Sequence, residues 1–328
     1  MRDRPEWPVD GHNRNRIGTF GGYVSLIDGN SSKVVAGVPE ASVPAIDRLT
    51  PVLERFRVQA SLFHAGPLCG HQVFDAQPGR GFLHVLRRGE MDMLHRDGSR
   101  MARLHLCEPT LLLFPRAVHH EFINPPVDGS DFTCATLDFD GGARNPIVQS
   151  LPDVIALPLE KIDGLGATLD LLFAESDQVR CGSRLLANRL FEVVLIQVLR
   201  WIIDHPDEAR VSQGMMMGLS DPRLAKALIA VHEAPDADWT LERMATQAGM
   251  SRSAFAAAFK AATGTTPAAY SLDWKLNVAA SLLRAGRSVK QVALDMGFAD
   301  APALSRAFRR RNGASPREWL AQHQPGAG

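Results

Sequence analysis

Residues 240–270 read TLERMATQAGMSRSAFAAAFKAATGTTPAAY, and residues 288–319 read SVKQVALDMGFADAPALSRAFRRRNGASPREW. The second stretch repeats the first. Thr240, Leu241, Met244, Ala245, Ala248 and Gly249 recur 48 positions later as Ser288, Val289, Val292, Ala293, Met296 and Gly297. Beyond them the offset is 49: Ser251, Phe255, Phe259, Lys260, Gly264, Pro267 and Tyr270 recur as Asp300, Leu304, Phe308, Arg309, Gly313, Pro316 and Trp319. One residue is therefore inserted between Gly297 and Asp300. Thirteen matched positions, most of them structurally demanding, make a duplicated unit.

Each copy dictates the same local structure. Thr240 and Ser288 can accept from the free N–H groups of a first helical turn, and Ser288 with Gln291 predicts a capping box. Apolar residues at i, i+3, i+4 and i+7 give one buried face. Gly249 and Gly297 supply the left-handed residue that ends that helix. Ser251 and Asp300 then cap a second helix, whose buried pairs are Phe255/Phe259 and Leu304/Phe308. Two helices joined by a short Gly-containing turn form a helix-turn-helix.

Charge supports the same reading. The 328 residues carry 36 Lys+Arg and 36 Asp+Glu, yet residues 221–328 hold 14 against 9, a net +5, and the rest a net −5. A basic C-terminal third on an acidic body is what a polyanion-binding module presents, although a solvated charged face has the same composition.

Upstream the texture differs. Residues 1 to 45 are rich in Gly, Pro, Asn and Arg without periodicity and read as a mobile arm. Ala45–Phe56 predicts a short amphipathic helix through Ile46, Leu49, Leu53 and Phe56. From Val58 to about Leu157, short apolar runs (60–64, 82–86, 91–94, 111–114 and 132–139) alternate with turn clusters such as Gln77-Pro78-Gly79 and Arg88-Gly89. That spacing predicts a β-barrel or sandwich. After Lys161, Leu165, Leu169, Leu172 and Phe173 form one helical stripe. Leu185–Ile203 predicts a longer helix, apolar beyond one face, that packs within its own chain or meets a partner subunit. Residues 210–218 read as a linker. The fold class is thus α+β: a β-barrel or sandwich, a helical segment and an all-α C-terminal domain with two helix-turn-helix motifs. The boundaries expected are 46–160, 161–218 and 219–328.

Other classes are excluded. Apolar residues at 45% and charged residues at 22% are globular values, not those of a disordered chain. No apolar run reaches the ~18 residues of a membrane span. The first sixteen residues lack the apolar core of a secretory signal. Cys69, Cys107, Cys134 and Cys181 show no CxxC spacing, which fits a reducing cytoplasm.

WTLERMATQAGMSRSAF, FKAATGTTPAAY, LLRAGRSVKQVALDMGF and LSRAFRRRNGASPREW resemble the DNA-binding domain of the AraC/XylS transcription regulators, over about Asp221–Gln322. The resemblance implies two helix-turn-helix units joined by a long helix, here about Pro267–Arg284, whose second helices enter successive major grooves on one face of duplex DNA. It assigns DNA contacts to Arg252, Ser253, Ala256, Ala257 and Lys260 in the first unit, and to Ser305, Arg306, Arg309 and Arg310 in the second, with Arg311 near phosphates. The family commonly carries Arg where this chain has Ala257. Alanine cannot make the bidentate guanine contact, so base specificity is expected to rest more on the second unit.

Residues 46–157 resemble, less specifically, the cupin-type sensor domain of such regulators. His84 matches the first His of a metal-binding cupin, Leu86 stands where a second would fall, Glu90 keeps the Glu spacing, and His120 falls in the second motif. Two readings follow: His84, Glu90 and His120 converge on Zn²⁺ or Fe²⁺, or, as the lost ligand favours, the barrel takes a small organic effector. The resemblance implies a cytoplasmic, homodimeric, effector-responsive regulator rather than an enzyme, with RNA polymerase as a possible further partner and no membrane association. The alternative is a metal-dependent cupin enzyme with an attached helical domain.

Overall fold

A computed structural model describes residues 46–98, 100–125 and 129–323. The arm expected over 1–45 lies outside them. In chain order the elements are α1 (Thr50–Leu53), β1 (Val58–Leu68), β2 (His71–Phe74), β3 (Arg80–Arg88), β4 (Met91–Asp97), β5 (Arg100–Leu106), β6 (Thr110–Phe114), β7 (His120–Ile123), β8 (Ser130–Phe139), α2 (Pro146–Gln149) and β9 (Ile155–Pro158). Helices follow: α3 (Leu165–Asp177), α4 (Ser183–Asp204), α5 (Met215–Ser220), α6 (Pro222–Glu233), α7 (Leu241–Gln247), α8 (Arg252–Thr263), α9 (Pro267–Arg284), α10 (Val289–Asp295), α11 (Ala301–Asn312) and α12 (Pro316–His323).

The strands form two antiparallel sheets, ordered β1-β8-β3-β6-β9 and β2-β7-β4-β5. Alternation sorts the larger sheet into two cores. Phe82, Leu86, Leu112, Phe114, Phe132 and Cys134 face the smaller sheet, together with Met91, Met93 and Phe122. Leu83, Val85, Leu111, Leu113, Ala135 and Leu137 face the helices. Covered on both sides, β3 and β6 read as nearly continuous apolar runs rather than alternating ones.

Helix α4 lies along β1 and seals its edge. Asn188 Oδ1 accepts from the Leu62 amide at 2.8 Å and Glu192 Oε1 from the Ala60 amide at 3.4 Å, which removes a template for strand addition. Its apolar residues are mostly buried in its own chain. Leu185, Leu186 and Val193 stay 63%, 41% and 42% exposed. Arg87 ties α3 to β3: it donates to both Asp177 oxygens at 2.7 and 2.9 Å and lies over Phe173.

Two readings need correction. The helix expected over 45–56 reduces to α1 and a following turn, because Asp47 accepts from the amides of Leu49 and Thr50 and starts the helix there. Residues 210–218 are not a plain linker: α5 begins at Met215, and Met215 and Met216 are buried. Their flexible thioether side chains pack into the larger core.

The C-terminal helices share one continuous core with the outer face of the larger sheet. The polar contacts across it are specific. Arg55 donates to the carbonyls of His232 and Glu233 at the end of α6 at 3.0 and 2.9 Å. Phe56 meets Trp274 edge-on at 5.1 Å between ring centres. Asp140 accepts from Arg284 at 2.8 Å and from Ser281 at 2.9 Å, both on α9. Arg144 donates to Asn312, at the end of α11.

Candidate nucleic-acid interface and effector site

The two helix-turn-helix units are built as their caps dictate. Thr240 accepts from Arg243 N–H at 3.2 Å, Ser251 from Ala254 at 3.4 Å, Ser288 from Gln291 at 3.2 Å and Asp300 from Ala303 at 2.6 Å. Gly249 and Gly297 hold φ of 64° and 67°. At Gly297 a second constraint acts: a Cβ there would lie 2.5 Å from the Asp236 carbonyl oxygen. The capping box expected at Ser288 is only half made: the Gln291 backbone N–H donates to Ser288 Oγ, while the Gln291 side chain turns to Asp295, donating from Nε2 at 2.7 Å. A complete box forms elsewhere. Ser315 N–H donates to Glu318 at 2.7 Å and Glu318 N–H to Ser315 Oγ at 3.4 Å, starting α12. The spacing Ser315-x-x-Glu318 is the sequence signature of this box.

Helix α8 buries Phe255 and Phe259 and exposes Arg252, Ser253, Ala257 and Lys260, with Ala256 half-buried. Helix α11 buries Leu304, Ala307 and Phe308 and exposes Arg306, Arg309 and Arg310, with Ser305 half-buried. The arginines differ in their freedom. Arg309 donates to both Glu318 oxygens at 3.2 and 3.0 Å, and Arg311 to Asp273 at 2.6 Å. Arg306 and Arg310 have no ion-pair partner among the described residues. The Ser315 amide and hydroxyl, then Arg309, pull the Glu318 carboxyl down to about 2, so it remains a counter-charge at any physiological pH. Sequence reading missed this partner of Arg309.

In the barrel the two histidines meet. His84 and His120 are fully buried, with Nε2 atoms 3.0 Å apart. His120 Nδ1 donates to the Val118 carbonyl at 2.9 Å, so its Nε2 accepts from His84 Nε2–H. His84 Nδ1 is left as a buried lone pair without a partner. Phe74, Phe82, Phe114 and Phe122 ring the pair, His120 stacking on Phe114 at 3.8 Å. Burial holds His84 well below its usual pKa and brings His120 down to about 4, so both are neutral near pH 7.

Glu90 does not join them. It is exposed in the turn after β3. On β4 the inward residues are Met91, Met93 and His95, and the period of two turns an even-numbered Glu90 away. Leu86 fills the place of the second ligand, and no group of three or more His, Cys, Asp or Glu side chains suited to a metal occurs among the described residues. The donor set does not fit a Zn²⁺ or Fe²⁺ site. The residue missed was His95, which sits opposite His120 across β4 and β7. Its Nδ1 is buried without a partner.

Comparison with known proteins agrees with this architecture. A cupin family model matches residues 47–204, and a helix-turn-helix domain model matches residues 244–322. The chain belongs to the AraC family of transcription regulators, with a cupin-type domain preceding the helix-turn-helix domain. This AraC-family chain is 32% identical over 200 residues to an AraC-like transcription regulator of Streptomyces antibioticus, a match covering 60% of this chain and 64% of that one. It therefore spans less than two thirds of that relative. It is 28% identical over 263 residues to the HTH-type transcriptional regulator MtrA of Neisseria gonorrhoeae, covering 73% of this chain and 85% of that one. A solved AraC-type transcriptional regulator from Chromobacterium violaceum is 33% identical, covering 33% of this chain and 97% of that one, with a TM-score of 0.31. Among the described residues no helix is long and apolar enough to cross a membrane.

Proposed function

We propose that this chain binds duplex DNA at promoter sites through α8 and α11 and regulates transcription in the cytoplasm in response to a small effector held by the cupin-type domain. The observation that carries the reading is the duplicated helix-turn-helix with two exposed basic faces joined by α9. Arg252, Ser253, Ala256, Ala257 and Lys260 meet one major groove, and Ser305, Arg306, Arg309 and Arg310 the next. Alanines 256 and 257 offer only thymine-methyl contacts, whereas an arginine–guanine pair discriminates by about 1–3 kcal/mol. Base specificity therefore rests chiefly on Arg306, and Arg309 has to leave Glu318 to contribute. Band shifts of the full chain on selected DNA sites test this. Arg306→Ala should flatten preference among sites, while a variant that keeps full discrimination shows the reading to be wrong.

The working unit is a homodimer. The exposed Leu185, Leu186 and Val193 of α4, with Leu171 of α3 at 46% exposure, support contact with a second copy. Sedimentation of the full chain at micromolar concentration should give a dimer. A monomer would count against it. Contact with RNA polymerase follows from position at a promoter. The effector acts by binding the DNA-competent arrangement with an affinity different from that for the alternative. The relatives' names and the absence of an assembled metal donor set among the described residues favour a regulator over a metal-dependent cupin enzyme.

A further inference from the structure

The two sheets do not close on each other everywhere. β5 ends one and β9 ends the other, and no backbone pairing joins them. Between these edges lies a cleft of about 420 Å³. Met93, Ala102, Val154 and Ala156 line it, and three of these belong to or pack on the inner core that surrounds His84 and His120. The cleft thus lies beside the inner core, with apolar side chains on part of its wall.

Four polar side chains also line it, His95, Arg103, Glu208 and Arg210, and they are unequal. His95 lines it, with Nδ1 buried and unpartnered. Arg103 is tied to Asp92, and Glu208 to Lys161 at 2.7 Å. Arg210 has no side-chain partner among the described residues, so it is the one unneutralised charge on the lining. It also has φ of 55°, the left-handed region that a long L side chain rarely adopts. An uncommon backbone conformation is held at the lip of a cleft with a free cation on it.

The same segment leads to the first recognition helix. Four residues past Arg210, the Gly214 amide donates to the Ala262 carbonyl at 3.0 Å, and Gln213 reaches Ala261 at 3.4 Å, both on the last turn of α8. Whatever grips Arg210 pulls on the strap that ends at α8.

We propose that this cleft is the effector site and that the effector is a small organic anion, its apolar body between β5 and β9, its anionic group on Arg210 and a polar atom on His95. The proposal rests on the effector-responsive reading above and adds the site and the ligand class. An anion is favoured by charge complementarity, and the charge-assisted contact to a guanidinium is the strong one available. The occupant sits between two sheet edges and the 205–214 segment, so binding restrains that segment.

The test uses the full chain without DNA, so its outcome does not depend on DNA binding. The probes are 8-anilinonaphthalene-1-sulfonate and its uncharged parent, N-phenyl-1-naphthylamine, followed by fluorescence. Arg210→Gln, an exposed and structurally tolerant change, should weaken the sulfonate about tenfold and leave the parent within about twofold, as the loss of one charge-assisted contact implies. Ala102→Trp, on an edge strand, should reduce binding of both probes by filling the cleft. The sulfonate should also slow amide exchange over 208–214 in the wild-type chain. Equal weakening of both probes by Arg210→Gln, wild-type affinities in Ala102→Trp with unchanged melting, or unaltered exchange over 208–214 would each overturn the proposal. Failure of the DNA-binding reading appears instead in the band shifts.

Discussion

Asp140 fastens the cupin-type domain to α9, and its removal should loosen the two. Its carboxylate accepts from Arg284 Nη2 at 2.8 Å and from Ser281 Oγ at 2.9 Å. The pair is half-buried, Arg284 at 23% and Asp140 at 34% side-chain exposure. A hydrogen bond to a charged group contributes about 1.5–3 kcal/mol when well shielded, and partial exposure takes both bonds to the low end of that range. Asp140→Ala is therefore expected to cost about 2 kcal/mol, and Asp140→Asn, which keeps an acceptor for Ser281, about 1 kcal/mol. The measurement is urea unfolding of Asp140→Ala, Arg284→Ala and the double variant, which gives the coupling without assuming what each single change does elsewhere. About 1 kcal/mol of coupling is expected. If the two single effects simply add, to within about 0.3 kcal/mol, Asp140 and Arg284 are independent surface residues and the docking of α9 rests on apolar packing alone.

Arg306→Ala should lose more DNA discrimination than Arg309→Ala, since Arg309 must first give up Glu318; equal losses in a competitive site-selection assay would place both in the same role. Replacing a single phosphate-binding Lys or Arg by Ala should lower the slope of log affinity against log salt by about 0.9. Folded His120 has its pKa lowered to about 4, below its unfolded value, so an unfolded chain takes up a proton that the native one refuses. Stability should therefore fall as pH drops from about 6.5 to about 4, by roughly 3 kcal/mol from this residue alone. Replacing the pair, His84→Phe with His120→Phe, should flatten that dependence in pH-resolved chemical denaturation. Gly297→Ala should destabilise more than Gly249→Ala. Both place a side chain at positive φ, at about 1–2 kcal/mol, but only at Gly297 does the new Cβ meet a carbonyl oxygen, at 2.5 Å; thermal melts compare them directly. Val193→Glu should turn a dimer into a monomer in sedimentation without lowering the melting temperature, as the side chain is 42% exposed.

Sequence alone determined the helical third of this protein closely. The second helices begin directly after the caps expected at Ser251 and Asp300, and the long helix that the family resemblance implied at about Pro267–Arg284 is α9 with those ends. Caps, the 3.6 period and C-terminal glycines act over a few residues, so the chain carries them locally. The barrel was legible only as a class. The runs at 82–86, 111–114 and 132–139 are strands, but the four-residue β2, β7 and β9 carry too little periodicity to stand out, and β5, RMARLHL, is too exposed and polar to show an apolar run.

Tertiary structure alone decided which side chains meet. Spacing placed Glu90 beside His84, yet the turn after β3 sends it outward and the parity of β4 brings His95 in. Arg309 looked as free as Arg306 until α12 folded back and set Glu318 against it. The cleft between β5 and β9 exists because two sheets with independent strand orders fail to close there. Contacts of this kind join residues tens of positions apart, and they depend on strand register and helix packing, which no short window of sequence encodes.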